Sequence, residues 1–304
     1  MTPADDVSVI IPSNRHSPYL AEAVASVRNQ TASVREIILV DDGSPAPGLA
    51  SVAAELGLVY VRQDASGVST ARNRGAALAE GRWIGFLDDD DLWYPAKVQA
   101  QLEALAAAPG AIACHSDLTI IDEHGEPLEK VTAANGSRTE LLRRGNGVSM
   151  NTLLVLRETY LAIGGCDTSL PRAQDLDLVL RMLQVGDFAK VDRSLIGYRR
   201  HSGQVTSDGH RSLGAYVTVM RGLISRAERT GDDESAALLR EHLREALPGL
   251  ADWGADDLIT NVLRGRVGLA MTSARWLAVN TRAAALPAVG RRAVRRMRQR
   301  LLRS

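Results

Sequence analysis

The sequence predicts an α/β protein: a doubly wound, mostly parallel, Rossmann-like sheet followed by a helical C-terminal region. Two observations predict the sheet. Short β-branched runs alternate with stretches of helical periodicity through the first two thirds of the chain. Those runs are almost entirely apolar, as strands covered on both faces must be. A third observation predicts the tail: from Leu213 onward only helical periodicity is left. The boundary falls near residue 210, giving a domain at 1–210 and a helical region at 211–304. No internal repeat is visible.

Val7 to Ile11 is the first strand, closed by Pro12, and Ile37 to Val40 is the second, closed by Asp41-Asp42-Gly43-Ser44. Between them Leu20, Val24 and Val27 recur at helical spacing, with Ser17-Pro18 offering an N-cap and a first-turn proline. The pattern repeats as strand Leu58 to Val61, helix Ser69 to Ala79, strand Trp83 to Leu87, and a helix opened by Pro95 with Val98, Leu102 and Leu105 on one face. Ala111 to Cys114 and Leu118 to Ile121 read as two further strands, then Asp122-Glu123-His124-Gly125 as a turn before Pro127 to Val131. Leu153 to Leu156 is another strand candidate. Glu158 to Ile163 reads as a short helix ended by Gly164-Gly165, the residue type that accepts a left-handed C-cap. Leu176, Val179, Leu180 and Leu183 mark an amphipathic helix over Asp175 to Gln184. The C-terminal helical segments are expected near 213–230, 233–247, 255–263 and 267–280.

Composition narrows the function. Lys and Arg together number 36, against 36 Asp and Glu. This balance predicts no long-range attraction to nucleic acid. Cys114 and Cys166 are the two cysteines, without a Cys-x-x-Cys pair, so buried free thiols are expected instead of a disulfide or thiolate metal site. No basic n-region precedes the first apolar run, and no stretch of about 18 apolar residues occurs, so a cytoplasmic location is expected.

Chemistry gathers at strand ends, where ligands bind parallel α/β sheets. Asp41 and Asp42 end the second strand, and Asp88-Asp89-Asp90-Asp91 ends the fourth. Four successive carboxylates repel one another unless a cation balances them. Hard Mg²⁺ or Mn²⁺, held by one or two carboxylates and substrate phosphate oxygens, is the natural balance, with acids one residue apart facing one site from an extended loop. The alternative is an acidic loop capping the helix at Pro95.

Five segments carry a family resemblance: Val7-Ser8-Val9-Ile10-Ile11-Pro12; Val40-Asp41-Asp42-Gly43-Ser44; Gly67-Val68-Ser69-Thr70-Ala71-Arg72-Asn73-Arg74-Gly75; Phe86-Leu87-Asp88-Asp89-Asp90-Asp91; and Gly164-Gly165-Cys166-Asp167 followed by Gln174-Asp175-Leu176-Asp177-Leu178. In this order they resemble the family 2 glycosyltransferases of the GT-A fold, over roughly residues 7 to 205. The resemblance implies an inverting enzyme, a nucleotide-diphosphate sugar donor, most often a uridine one, and an acceptor that the sequence does not identify. It implies nucleotide contacts from Pro12, Asn14, Asp41 and Arg72, with Asp42, Asp88 and Asp89 in the nucleotide-sugar set. Asp90 is the metal ligand it favours, with the register open to Asp90-Asp91 because of the extra acid at 89. The general base it implies is Asp175, at the start of a helix whose N-terminus should keep the carboxylate ionised. Asp177 is the rival, although Arg181 four residues on offers it a salt bridge. His201 in Tyr198-Arg199-Arg200-His201 would complete the metal shell or meet the diphosphate, aided by Arg199 or Arg200.

Between Arg264 and Ser304 lie eleven arginines and no acid, seven of them within 291–303. With Val294, Met297 and Leu301 at helical spacing, this reads as a basic amphipathic helix for a membrane surface, anionic partner or subunit contact. Two other functions stay open. A sugar nucleotidyltransferase would carry a Gly-rich loop with Lys after the first strand, where this chain has Ser13-Asn14-Arg15-His16. A non-catalytic nucleotide-sugar-binding or scaffold protein would not need the full acid set.

Overall fold

The computed structural model describes residues 6–45, 48–134, 137–144, 148–170, 172–201 and 209–263, together with 271, 274, 275, 277 and 278. Two compact units divide at Gln204/Val205.

The first unit is built on one sheet. Its strands are β1 (Val7–Ser13), β2 (Glu36–Asp42), β3 (Val59–Gln63), β4 (Trp83–Phe86), β5 (Leu92–Trp93), β6 (Ala111–Ile121), β7 (Pro127–Val131), β8 (Leu154–Leu156) and β9 (Asp187–Arg199). Their order across the sheet is β3-β2-β1-β4-β8-β6-β9-β5, with β7 hydrogen-bonded to β6. The first four run parallel. β8 is antiparallel to both neighbours, and β6 and β9 are parallel again. All seven residues of β1 are buried, which explains the absence of alternation in its sequence.

Helices α1 (Leu20–Arg28), α2 (Gly48–Glu55), α3 (Val68–Leu78), α4 (Lys97–Ala107), α5 (Arg138–Arg144), α6 (Arg157–Ala162) and α7 (Gln174–Met182) accompany the sheet. The periodic residues do what their spacing predicts: Leu20, Val24 and Val27 are buried, as are Val98 and Leu105, and Leu176, Val179, Leu180 and Leu183. Gly75 of α3 lies so close to Ile10 and Val40 that an added Cβ would come within 2.5 Å of the Ile10 side chain. The chain therefore needs glycine there for helix and sheet to touch.

Several expectations are corrected. α1 starts at Leu20 with no side-chain cap. The Ser17 hydroxyl instead donates to the carbonyl of Asp89 at 3.0 Å, tying the start of the helix to the acidic segment. The two strands expected at 111–114 and 118–121 are one, because the polar residues between them, His115, Ser116 and Asp117, are buried in the strand. Asp117 is compensated there by Lys130, Lys190 and the Ala133 N–H. The four acids are not extended either: the Asp91 N–H returns to the Asp88 carbonyl at 3.2 Å, closing a turn. They do not cap α4, whose N-cap is Ala96 without a side-chain bond.

In the second unit, α8 (Gly209–Thr230) is followed by α9 (Asp233–Leu263). α9 continues through Pro248, joining the segments expected at 233–247 and 255–263. Of the segment at 267–280 only five residues are described, all helical, and the basic stretch at 291–303 lies outside the described residues. Among the described residues no helix is long and apolar enough to cross a membrane. Both cysteines are buried and free.

Candidate active site

The C-terminal ends of β2, β1 and β4 lie side by side because these strands are parallel neighbours. Strand spacing near 4.8 Å puts Asp41 and Asp88 on the order of 10 Å apart along one sheet edge.

At the end of β2 the carboxylates are saturated by the protein. Asp41 accepts hydrogen bonds from the Ser44 N–H (2.7 Å) and hydroxyl (2.9 Å), the Tyr60 hydroxyl (2.7 Å) and the Arg62 guanidinium (2.6 Å). Burial alone would raise its pKa, but these donors outweigh it and hold the group below the ordinary carboxylate value. Asp42 accepts from Gln63 and from the backbone N–H groups of Ser66 and Gly67, so it fixes the loop that launches α3. A base contact at Asp41 would have to exchange one of these donors. Pro12 is buried in β1 beside Val40, and Asn14 is exposed in the loop that follows.

The end of β4 is organised differently. The Arg72 guanidinium donates to Asp88 Oδ1 at 2.7 Å, and the Asn151 amide donates to Asp88 Oδ2 at 3.1 Å. Arg72 is buried on α3, not displayed on a surface, and its Nε has no partner among the described residues. Asp89 meets the Ser13 hydroxyl, which also lies 2.6 Å from the Arg15 carbonyl. Burial, reinforced by Asp90 and Asp88 against the Ser13 bond, pushes Asp89 up to about 7. A protonated Asp89 donates to Ser13, which then donates onward to Arg15.

Asp90 Oδ2 lies 3.0 Å from His201 Nε2, and burial raises the Asp90 pKa against the His201 contact. Tyr19 packs on the His201 ring at 5.2 Å between centroids. Asp91 is structural: it is 1% exposed and accepts from the Arg199 backbone N–H at 2.8 Å and from Asn151. The Asp91 carboxylate is thus turned inward, whereas Asp88 and Asp90 are only partly buried. Arg199 is also not placed for a diphosphate. It is fully buried, and its guanidinium binds the Asp90 carbonyl, the Asp122 and Glu123 carbonyls and the Glu22 carboxylate.

The Gly-Gly segment completes the site through a residue the sequence reading passed over. Asn73 Oδ1 accepts from the Cys166 N–H (2.8 Å) and the Tyr160 hydroxyl (2.7 Å), while its Nδ2 donates to the Cys166 carbonyl (2.8 Å). A Cβ on Gly165, whose φ is +64°, would sit 2.3 Å from Asn73 Oδ1, so only glycine fits. Arg72 and Asn73, adjacent on α3, thus reach the acidic turn and the glycine turn respectively. Asp175 sits in the first turn of α7 after Ala173, a non-glycine residue held at φ 61°. Left-handed backbone costs about 1–2 kcal/mol for a residue with a Cβ, a local expense concentrated beside a candidate base.

Asp175 is half-buried, within electrostatic range of Arg72 and Asp88. The helix N-terminus does not win here. Burial raises its pKa above the ordinary value despite the Leu176 N–H and Arg72. Asp177 is engaged by Arg181: both its contacts to that guanidinium are short (2.8 and 2.6 Å), and Arg181 also binds the Ile163 and Gly165 carbonyls.

Comparison with known proteins accords with this geometry. Residues 8–150 match the family model described as Glycosyl transferase family 2. An uncharacterized glycosyltransferase of Haemophilus influenzae is 29% identical over 192 residues, covering 60% of this chain and 63% of that protein. One from Rickettsia felis is 30% identical over 208 residues, covering 65% of this chain and 35% of that protein. The chain therefore spans less than two thirds of either relative. Among solved structures, that of S. aureus TarS 1-349 in complex with UDP-GlcNAc is similar in fold, with a TM-score of 0.64 at 16% identity over 92% of this chain and 90% of that one. The GT-A type of sheet is thereby shared.

Proposed function

We propose that this chain is an inverting family 2 glycosyltransferase that moves a sugar from a uridine-diphosphate sugar to an acceptor hydroxyl by single displacement. The observation that carries the reading is the convergence, at one sheet edge, of the Asp90–His201 pair with Asp88, Arg72 and Asp175. The uridine-sugar complex of the similarly folded TarS supports the choice of donor.

Among the described residues no three His, Cys, Asp or Glu side chains are grouped to hold a metal ion. An oxygen and a nitrogen donor 3.0 Å apart nevertheless suit Mn²⁺ or Mg²⁺ whose shell is completed by diphosphate oxygens. Asp90 and His201 would hold it, and when bound it supplies charge neutralisation for the departing diphosphate. Arg72 orients Asp88 toward the donor. Asp175 accepts the acceptor's hydroxyl proton, and its raised pKa makes it a stronger base than an ordinary carboxylate. Pro12, Asn14, Asp41 and Asp42 shape the nucleotide side, Asp41 and Asp42 by fixing loops. A cytoplasmic site of action belongs to this proposal as well.

The test is UDP release from a panel of UDP-hexoses, with and without Mn²⁺. Release that a chelator stops and Mn²⁺ restores is expected; no release and no UDP binding under any condition would overturn the reading.

A further inference from the structure

The single turn Met150–Thr152 carries a residue whose placement no motif explains. Asn151 is 1% exposed, and its side-chain amide nitrogen donates to two carboxylates at once, Asp88 at 3.1 Å and Asp91. An amide nitrogen has two hydrogens, so each acid receives one. Its carbonyl oxygen Oδ1 is buried without a partner among the described residues. The turn is braced from behind by α4. The fully buried Gln101 donates to the Thr152 carbonyl at 2.8 Å and to the Cys114 carbonyl at 3.0 Å, and it accepts from Lys97 at 2.6 Å. Asn151 is thus rigidly presented to the acidic turn across 60 residues of sequence.

The residue type matters. Asp88 and Asp91 are the first and last acids of one turn, and their like charges must be held together. A lysine between them would cancel the negative charge that a cation needs, and an acid would add to the repulsion. A neutral double donor relieves the repulsion and leaves the charge in place. Asp88 is then clamped from both sides, Arg72 on Oδ1 and Asn151 on Oδ2, while its side chain stays 34% exposed. A clamped, partly exposed carboxylate is an acceptor of fixed direction for a sugar hydroxyl.

We infer that Asn151 is a positioning residue for the sugar half of the donor, acting through Asp88. The inference rests on the glycosyltransferase reading. It separates the two halves of the donor: Asn151 should matter for the hexose and not for UDP.

The test is calorimetry in Mn²⁺ with UDP and with UDP-glucose, UDP-galactose and UDP-N-acetylglucosamine, using wild type, Asn151→Ala, Asp88→Asn and the double variant. For Asn151→Ala, UDP affinity should stay within about twofold, and affinity for the best UDP-hexose should fall about tenfold, the worth of one hydrogen bond to a charged group. The double variant should bind the UDP-hexose no more weakly than Asp88→Asn alone, since the two residues act as one unit. Should Asn151→Ala fail to fold, Asn151→Ser, which keeps one donor, should show an intermediate loss confined to the hexose. Equal losses for UDP and UDP-hexose, or additive losses in the double variant, would overturn the inference. Wild type that binds UDP and a UDP-hexose alongside variants that match it would sink Asn151 alone, whereas wild type that binds neither sinks the transferase reading too.

Discussion

The ends of β2 and β4 carry the same residue type at equivalent places in the topology, yet they do opposite things. At β2, Asp41 and Asp42 receive seven donated hydrogen bonds from nearby residues and become parts of the scaffold. At β4, donors are fewer and burial dominates, so Asp89, Asp90 and Asp91 all have raised pKa values. The supply of protein donors decides whether a strand-end aspartate is architecture or is left hungry for a cation or proton.

The contrast can be broken most sharply at α7, which holds one acid of each kind. Asp175→Asn should leave UDP-hexose binding intact and lower turnover about 10³-fold, within the range for a lost general base. Full-rate transfer by that variant would reduce Asp175 to a helix-start residue. Asp177→Asn should instead cost about 3 kcal/mol of stability, seen as a lower urea midpoint, because it leaves the buried Arg181 charge without its partner. Any variant protein that remains folded should keep near-normal hexose binding.

A smaller effect separates β2 from β4 by pH. Asp41 has a depressed folded-state pKa, so its contribution is present above the unfolded value and is lost as pH falls through the folded one. Asp41→Asn should be about 1–2 kcal/mol less stable than wild type at pH 7, a figure discounted because Arg62 is half exposed, with the gap closing in acid. Asp89 has the opposite sign. Its pKa is raised to about 7, so the folded state holds its proton longer and stability falls as pH rises from about 4 to 7. Asp89→Asn should therefore be about 1–3 kcal/mol more stable than wild type at pH 8, with no difference near pH 4. Urea melts at the two pH values check both, and parallel behaviour of the two variants would erase the distinction.

Much of the sheet was legible because buried parallel strands are apolar throughout, and the helices because Leu, Val and Ala fall at regular spacing. The acids were legible as a cluster, but their division of labour was not. Nothing in Asp88-Asp89-Asp90-Asp91 says that the last carboxylate turns inward to the Arg199 N–H, since that partner lies 108 residues away. Polar residues inside strands misled the reading in the same way: His115-Ser116-Asp117 looked like an interruption because the lysines that compensate Asp117 come from β7 and β9. Asn73 could have been found, for it adjoins Arg72 in a segment already singled out. Asn151 could not, because a single asparagine outside any motif acquires meaning only when the turn that bears it meets the acids.

The most direct test of the central claim, that Asp90 and His201 form a cation site serving a diphosphate at this edge, is calorimetric titration of UDP with and without Mn²⁺ into wild type and Asp90→Ala. The account predicts UDP binding that strengthens with Mn²⁺ in wild type and does not respond to Mn²⁺ in Asp90→Ala. An equal Mn²⁺ response in the two proteins would contradict it.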